Sequence, residues 1–453
     1  MLYMKSLRIL TWSILLGGWA VSAQQTKNTS YAFSLKQAIE HALKNNSEVI
    51  NANRDIETAR LKKWETTASG LPQINGSVDV LDNIQVQRQG IPAIAFDPTA
   101  PPGQIAAVGF GVKYNANARI TLQQLIFDGS YLVGLQAAKT YLQYSENAKL
   151  KTESDIKEMV INTYGNVLLA QESILVLEKN KATLEKNHKE ITEIYKNGLT
   201  EEESVEQLGI TLGSVTSALN YSKRIHQVAL KMLKVTLGLS LTDELVLSDA
   251  LENLTQDNVQ LALLSESFNL SNNINYQIVQ NNQDKERLLL KLEKSRILPS
   301  LGAMAYAGYN SFDNQFNFFS AQQQWYDYSA IGLSLQVPLF SSFKSGARIQ
   351  QAKIAFDKAK TLSEDTAKQL QLAYDKAKSD YEYSIEQYAT SKNNLELARR
   401  IEAKQQIKFK EGLSTSFEFT EAQRQLYAEQ QNYLQAMVEV INKRAALEKI
   451  LNK

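Results

Sequence analysis

Two hydrophobic periods alternate along this chain, and each occurs twice. Leu135, Leu142, Ile156, Leu177, Leu184 and Ile191 share one seven-residue register, and Ile349, Phe356, Leu370, Ala377 and Ala398 occupy the same register 214 residues later. A heptad seam lies on one helix face and has to be buried against another helix. The surrounding stretches, about 130–197 and 344–411, are rich in the helix formers Leu, Ala, Lys, Glu and Gln. All seven prolines lie outside them, at Pro72, Pro92, Pro98, Pro101, Pro102, Pro299 and Pro338, so nothing removes a helix hydrogen bond within either stretch. At 1.5 Å per residue each helix runs roughly 100 Å, too long for a compact domain. Gly198 and Gly412 end them, and second helices follow at about 200–237 and 414–451. Shorter helical patterns cover about 34–69 and 262–297.

Between these helices the period falls to two. Val108, Phe110, Val112 and Tyr114 alternate with Gly109, Gly111 and Lys113, and the pattern continues through Ala118, Ile120 and Leu122. Ile331, Leu333, Leu335 and Val337 alternate with Gly332, Ser334 and Gln336. Weaker alternation covers Ile74 to Val80 and Leu301 to Tyr309. Each half therefore carries a pair of strands, expected at about 72–88 and 108–125, then at about 299–313 and 325–339. The loop joining the first pair holds four of the prolines, while the loop joining the second is aromatic, with Phe312, Phe316, Phe318, Phe319, Trp325, Tyr326 and Tyr328. Such strands suit a membrane barrel with a wet interior; an ordinary half-buried antiparallel sheet is the plainer alternative. Four strands cannot close a barrel, two copies would give eight and three would give twelve, with room for a pore. Oligomerisation is expected on the helical side as well, because a seam on a lone rod has nothing to bury against.

Short motifs repeat in the same order. Leu71-Pro72-Gln73-Ile74 returns as Leu298-Pro299-Ser300-Leu301, Leu125-Ile126-Phe127 as Pro338-Leu339-Phe340, and Tyr195-Lys196-Asn197-Gly198-Leu199 as Phe409-Lys410-Glu411-Gly412-Leu413. The offsets are 227, 213 and 214, which a tandem duplication explains with one insertion of about fourteen residues in the first copy. The expected organisation is a first repeat at 24–237, an inter-repeat segment at 238–261 and a second repeat at 262–453.

Composition narrows the classes. The 453 residues are 43% hydrophobic and 21% charged, with 49 basic against 48 acidic side chains. This excludes a polytopic helical membrane protein and gives no basic excess for nucleic acid. The absence of cysteine excludes disulfides, thiolate zinc and a cysteine nucleophile. His41, His188 and His226 stand far apart, a poor inventory for an imidazole metal site or a triad. Residues 1–23 read as a signal peptide: Lys5 and Arg8, an apolar run from Ile9 to Trp19, then Val21-Ser22-Ala23. A membrane anchor is the alternative, but the run is shorter than the roughly 20 residues a span needs.

The duplication, the Leu-Pro marks opening each strand pair, the closing Leu125-Ile126-Phe127-Asp128-Gly129 and Val337-Pro338-Leu339-Phe340, and the aromatic-x-x-Gly-Leu turns followed by Glu421-Ala422-Gln423-Arg424-Gln425-Leu426 resemble the TolC family of outer-membrane efflux proteins. The resemblance covers about 33–451. It implies an α+β membrane protein: a homotrimer whose twelve-stranded β-barrel spans the outer membrane and whose long helices form a hollow periplasmic cylinder with a closable tip. It implies as partners a periplasmic adaptor protein, an inner-membrane pump of the RND or ABC type, and outer-membrane lipid. The inter-repeat segment would join a belt around the cylinder, with no long C-terminal addition to it. Ser341-Ser342 replaces the Asp-Gly of the first copy, which bears on local turn geometry, and there is no lipid-anchor cysteine.

The expected function is therefore a passive exit duct without a cofactor, a metal or catalytic residues; the sequence holds no Walker-type loop or nucleotide fingerprint. A pore-free coiled-coil adhesin would not need the strands. A secreted enzyme would need acid–base pairs where the helices present solvated charges. The turns Gly198-Leu199 and Gly412-Leu413 are expected to meet the adaptor. Aligned with the family, Glu418 and Glu421 match the acidic pair that narrows the periplasmic entrance. Spaced three apart, they share a helix face. Thr415-x-x-Glu418 also fits a capping box, and Thr200-x-x-Glu203 is expected to be one in the first copy.

Overall fold

The computed structural model describes residues 30–453; the expected leader at 1–23 lies outside them. The first repeat runs β1 (Ser30–Phe33), α1 (Leu35–Asn45), α2 (Ser47–Ala68), β2 (Gln73–Asp82), β3 (Arg88–Pro92), β4 (Ile105–Gly109), β5 (Tyr114–Phe127), α3 (Gly129–Lys196) and α4 (Glu202–Leu237). After β6 (Glu244–Leu247) and α5 (Leu251–Asn258) come α6 (Ile274–Ser295), β7 (Ser300–Asp313), β8 (Tyr326–Gln336), α7 (Lys344–Lys410) and α8 (Ser416–Leu451).

The duplication is visible in the geometry. α2 and α6 are each 22 residues long, and each is opened by a buried asparagine, Asn46 or Asn273. Each side-chain carbonyl caps its helix, accepting from Glu48 N at 2.8 Å and from Asn275 N at 3.0 Å. Each side-chain amide donates to the end of the returning helix, to Thr236 O at 2.8 Å or Ile450 O at 2.9 Å. α3 and α7, at 68 and 67 residues, form the roughly 100 Å rods, and α4 and α8 return along them for 36 residues each. Along the seam Ile156, Leu177, Leu184, Ile191, Ala377 and Ala398 are buried, and its other members are partly covered.

Several expected boundaries differ. The helix expected at 34–69 is two helices, because Asn46 adopts an extended backbone and caps α2. Residues 262–273 are not continuous helix but two 3-10 turns, Leu261–Ser265 and Leu270–Asn272. The strand expected at 72–88 stops at Asp82, and the one expected at 108–125 begins at Tyr114. Gly111, with φ +138°, breaks the run, and β4 before it pairs with β3 in a separate hairpin. The alternation crosses this break, so period alone could not reveal it.

Four strands form one antiparallel sheet in the order β2-β5-β7-β8, with β2 and β8 as open edges. Beneath them α2, α3, α6 and α7 follow the same lateral order. Midway along the rods α1, α5 and the parallel pair β1–β6 gather around α3, α4 and α8. Tyr164 is fully buried there, and its hydroxyl lies 3.0 Å from both Phe33 O and the Asp249 carboxylate. Asp249 also accepts from Leu35 N at 2.7 Å, so one carboxylate fastens the strand–helix corner to the rod. Nearby, Lys449 bridges Asp155 at 2.6 Å and Glu158 at 2.7 Å. Burial works against the Asp155 charge, but hydrogen bonds from Lys151 and Lys449 outweigh it and hold the carboxyl below its ordinary range.

Candidate functional site

Strand register sorts the sheet into two chemical faces. Ile74 is paired with Leu122, Leu122 with Ala305 and Ala305 with Ile331. One step along, Gly76, Ile120, Ala307 and Ser329 align, and Val78, Ala118 and Tyr309 follow. Cross-strand partners share a face, so this face is predominantly apolar, yet it is open: Ile331 is 89% exposed, Leu333 72% and Ile74 71%. The opposite face aligns Asn75 with Thr121 and Tyr306, Ser77 with Arg119 and Gly308, and Asp79 with Asn117 and Asn310. A sheet that is oily outside and polar inside is the arrangement of a membrane barrel with an aqueous lumen.

Gly308 makes the polar face possible. A Cβ there would lie 2.4 Å from Ala118 O and 2.8 Å from the Tyr328 hydroxyl. In its absence the Tyr328 ring crosses the glycine, and its hydroxyl accepts from Asn117 Nδ2 at 2.7 Å. Asn117 also hydrogen-bonds Asn310, so three strands are tied by side chains as well as by backbone. At one end of the sheet Tyr114, Phe316, Phe318, Phe319 and Trp325 form a chain of ring contacts, as an aromatic girdle at a lipid interface would. No described helix is long and apolar enough to cross a membrane.

At the far end of the rods the two turns are built alike. Gly198, at φ +73°, donates to Tyr195 O at 2.8 Å, and Leu199 to Ile194 O at 3.2 Å. Gly412, at φ +70°, donates to Phe409 O at 3.1 Å, and Leu413 to Lys408 O at 2.8 Å. Both are Schellman ends, which need the left-handed residue that glycine supplies. In this motif the residue after the glycine often packs back on the helix; here Leu199 and Leu413 are each 78% exposed. A cleft of about 450 Å³ separates the turns, lined by Leu199, Thr200, Glu201, Phe409, Ser414 and Phe419.

Glu418 completes a capping box with Thr415: its carboxylate accepts from Thr415 N at 3.1 Å and from the Ser414 hydroxyl at 2.7 Å, while Glu418 N donates to Thr415 Oγ1 at 3.2 Å. The Ser414 hydroxyl, then the Thr415 backbone, hold this exposed carboxyl below its usual range. Glu421, one turn on, is paired with Arg424 at 2.6 Å. The two carboxylates share a helix but have different partners, and Arg424 had not been singled out from the sequence. The box expected at Thr200-x-x-Glu203 is absent: α4 is capped by Glu201 without a side-chain bond. The cap sits three residues after the glycine in both turns, which is Thr415 in one and Glu201 in the other. Ser204 and Gln207 stand where the second copy has Glu418 and Glu421, so the acidic pair belongs to one turn only.

Eight residues above the second turn's cap, the fully buried Gln423 on α8 faces Glu402 on α7. Burial raises the Glu402 carboxyl, and the neighbouring Gln423 amide works the other way without reversing it. The Tyr427 phenol beside it is raised by burial and then by the Glu402 charge. Nothing in the sequence flagged this cluster, since a lone Glu on a Lys- and Glu-rich rod reads as solvated. The three histidines stay apart, and the described residues contain no metal-holding group.

Residues 269–453 match the model of the family described as outer membrane efflux protein. No curated protein matches the chain by sequence. Among solved structures the fold is similar to that of CusC, studied for folding and transmembrane channel formation, with a TM-score of 0.74, 16% identity and 92% of each chain covered. It is similar to VceC of Vibrio cholerae, with a TM-score of 0.72, 15% identity, and 92% of this chain and 96% of that one covered. For the CmeC outer membrane channel of Campylobacter jejuni the TM-score is 0.72 at 17% identity, covering 99% of this chain and 94% of that one. At such identities the likeness is one of fold.

Proposed function

From a chain whose second repeat matches the outer membrane efflux protein family and whose fold is similar to solved outer-membrane channels over more than nine tenths of its length, we propose that it is the passive exit duct of a tripartite efflux or secretion system. The observation that carries this reading is the two-faced sheet with open edges. Each copy supplies four strands, β8 of one copy pairs with β2 of the next, and three copies close a twelve-stranded barrel. The Ile331 face meets lipid and the Asn117 face lines water. The rods continue the duct through the periplasm. The protein is a channel and not an enzyme.

Energy comes from an inner-membrane pump through a periplasmic adaptor. The exposed Leu199 and Leu413 on two like turns, with a cleft between them, support an adaptor contact at Gly198-Leu199 and Gly412-Leu413. Glu418 and Glu421 then ring the entrance, and Arg424 offsets one of each pair. The test is mass and conductance: the detergent-solubilised protein should be a trimer by light scattering and should give small, discrete conductance steps in planar bilayers. A water-soluble monomer without conductance would end this reading.

A further inference from the structure

The repeat supplies a template for a contact that one copy cannot make. Within the chain α3 packs against α6. A Cβ on Gly129 would lie 3.2 Å from Ser295 Cβ and 2.9 Å from Leu298 Cδ1, and Lys291 Nζ donates to Gln136 at 2.9 Å. This contact covers Leu288, which is 8% exposed. Under the repeat offsets, α3 corresponds to α7 and α6 to α2. Their equivalent faces have no partner within the chain, because α2 and α7 are the outermost helices beneath the sheet. Leu61, the counterpart of Leu288, is 61% exposed, and Trp64, the counterpart of Lys291, is 62% exposed. On α7, Ile354 is 47% exposed and Phe343, the counterpart of Gly129, is 84% exposed.

Phe343 carries a second mark. Counted from the repeated Phe127 and Phe340, the helix begins two residues later in the second copy, at Lys344 against Gly129, and Ser342 and Phe343 both adopt positive φ, at 49° and 63°. L-residues avoid this region unless their surroundings hold them there. The turn swings Phe343 outward, with Phe340 edge-on to it at 6.2 Å between ring centroids.

We infer that a second copy of this chain covers both faces: Phe340, Phe343 and Ile354 of one copy seat against Leu61, Trp64, Ala68 and Leu71 of the next, repeating between chains the α3–α6 packing found within one. Where the internal seam closes on a glycine, the seam between chains closes on an aromatic pair. This proposal rests on the trimeric reading above and assigns the residues that join the copies below the barrel.

The chain's lack of cysteine makes the test clean. Phe343→Cys combined with Ala68→Cys occupies the positions equivalent to Gly129 and Ser295, whose Cβ spacing is close to what a disulfide needs. Mild oxidation of the purified protein should convert most of it to covalently linked trimer on non-reducing gels. Ala68→Cys with Lys378→Cys, about 50 Å further down the rod, should give none. Trp64→Ala, which forms no new bond, should lower the temperature at which the trimer dissociates by several degrees. A light-scattering trimer that neither cross-links through 68 and 343 nor responds to Trp64→Ala would overturn the pairing and leave the channel reading intact. Quenching of a Phe343→Trp variant by brominated lipid in that trimer would overturn it too, by showing that lipid covers the site. A monomeric mass for the unmodified protein would remove the channel reading, and this pairing with it.

Discussion

Glu418→Gln separates charge from capping at the entrance. The Glu418 carboxylate accepts from the Thr415 N–H and the Ser414 hydroxyl; a glutamine carbonyl can accept both bonds, and glutamine serves equally in capping boxes. The chain does this itself at α1, where Ser34 and Gln37 form the box. The variant therefore keeps the helix start and removes one charge per copy. In the ring proposed above, Glu418 and Glu421 of three copies would leave three net charges rather than six, because Arg424 pairs with Glu421. Three unit charges about one Debye length from a shared axis, in a water-like dielectric at physiological salt, enrich monovalent cations roughly threefold and deplete anions as much, a preference of about sevenfold for cations over anions. Reversal potentials across a salt gradient should show that bias fall to nearly none in Glu418→Gln. Arg424→Gln, which frees Glu421, should raise it to about fiftyfold by the same arithmetic. Thr415→Ala is the converse control, costing about 1 kcal/mol of helix start while leaving the bias in place. Because hydrogen bonds hold the Glu418 carboxyl below its ordinary range, the wild-type bias should persist to a lower pH than a free glutamate would allow. A reversal potential unchanged by Glu418→Gln would mean that the carboxylate serves the helix and not the current.

Two further outcomes follow from the packing. Gly308→Val drives a side chain into Ala118 O and the Tyr328 ring, an overpacking expected to cost about 1–3 kcal/mol or more, and should abolish heat-resistant trimer; Gly76→Ala, which meets nothing within 4 Å, should assemble normally. Glu402 binds its proton more tightly folded than unfolded because it is half-buried, so the native state holds the extra proton and stability should decline as pH rises from the ordinary carboxylate range through the raised pKa. Glu402→Gln should flatten that part of the melting-temperature profile, and an unchanged slope would assign it to another group.

What the sequence revealed best was whatever repeats over many residues. A seven-residue register over fifty residues or more, uninterrupted by proline, leaves few folds available, and β7 and β8 begin and end within three residues of the bounds expected for them. Local punctuation was harder to read. The break at Asn46 is one residue inside a helical pattern, legible only as an Asn-Ser step that can cap. Gly111 interrupts an alternation that resumes in phase on both sides. Glu418 was legible as a cap because the box is local; the Glu421–Arg424 pair is equally local, at three residues, but opposite charges at that spacing are common along these helices and do not single out one pair. Leu61 and Trp64 look like any apolar pair on an amphipathic helix, and only the placement of α3, α6 and α7 shows that their face has no partner within the chain.

The duplication also explains where function should be sought. Positions alike in both copies, such as Asn46 and Asn273, Gly198 and Gly412, and the paired strands, build the scaffold twice at the same cost. A perfect repeat would give a six-fold tube whose every seam and every turn is equivalent. The departures break that symmetry at separate levels. Phe343 replaces Gly129 where one copy meets the next, so seams within and between chains differ in width and in strength. Glu418 and Glu421 replace Ser204 and Gln207, and the first turn places its acids elsewhere, at Glu201, Glu202 and Glu203, so the two turns present charge at different positions. The same logic applies to the loops, where the proline-bearing first loop and the aromatic second loop cap the sheet with different chemistry. Three-fold function on a nearly six-fold frame therefore concentrates at the residues where the two copies disagree.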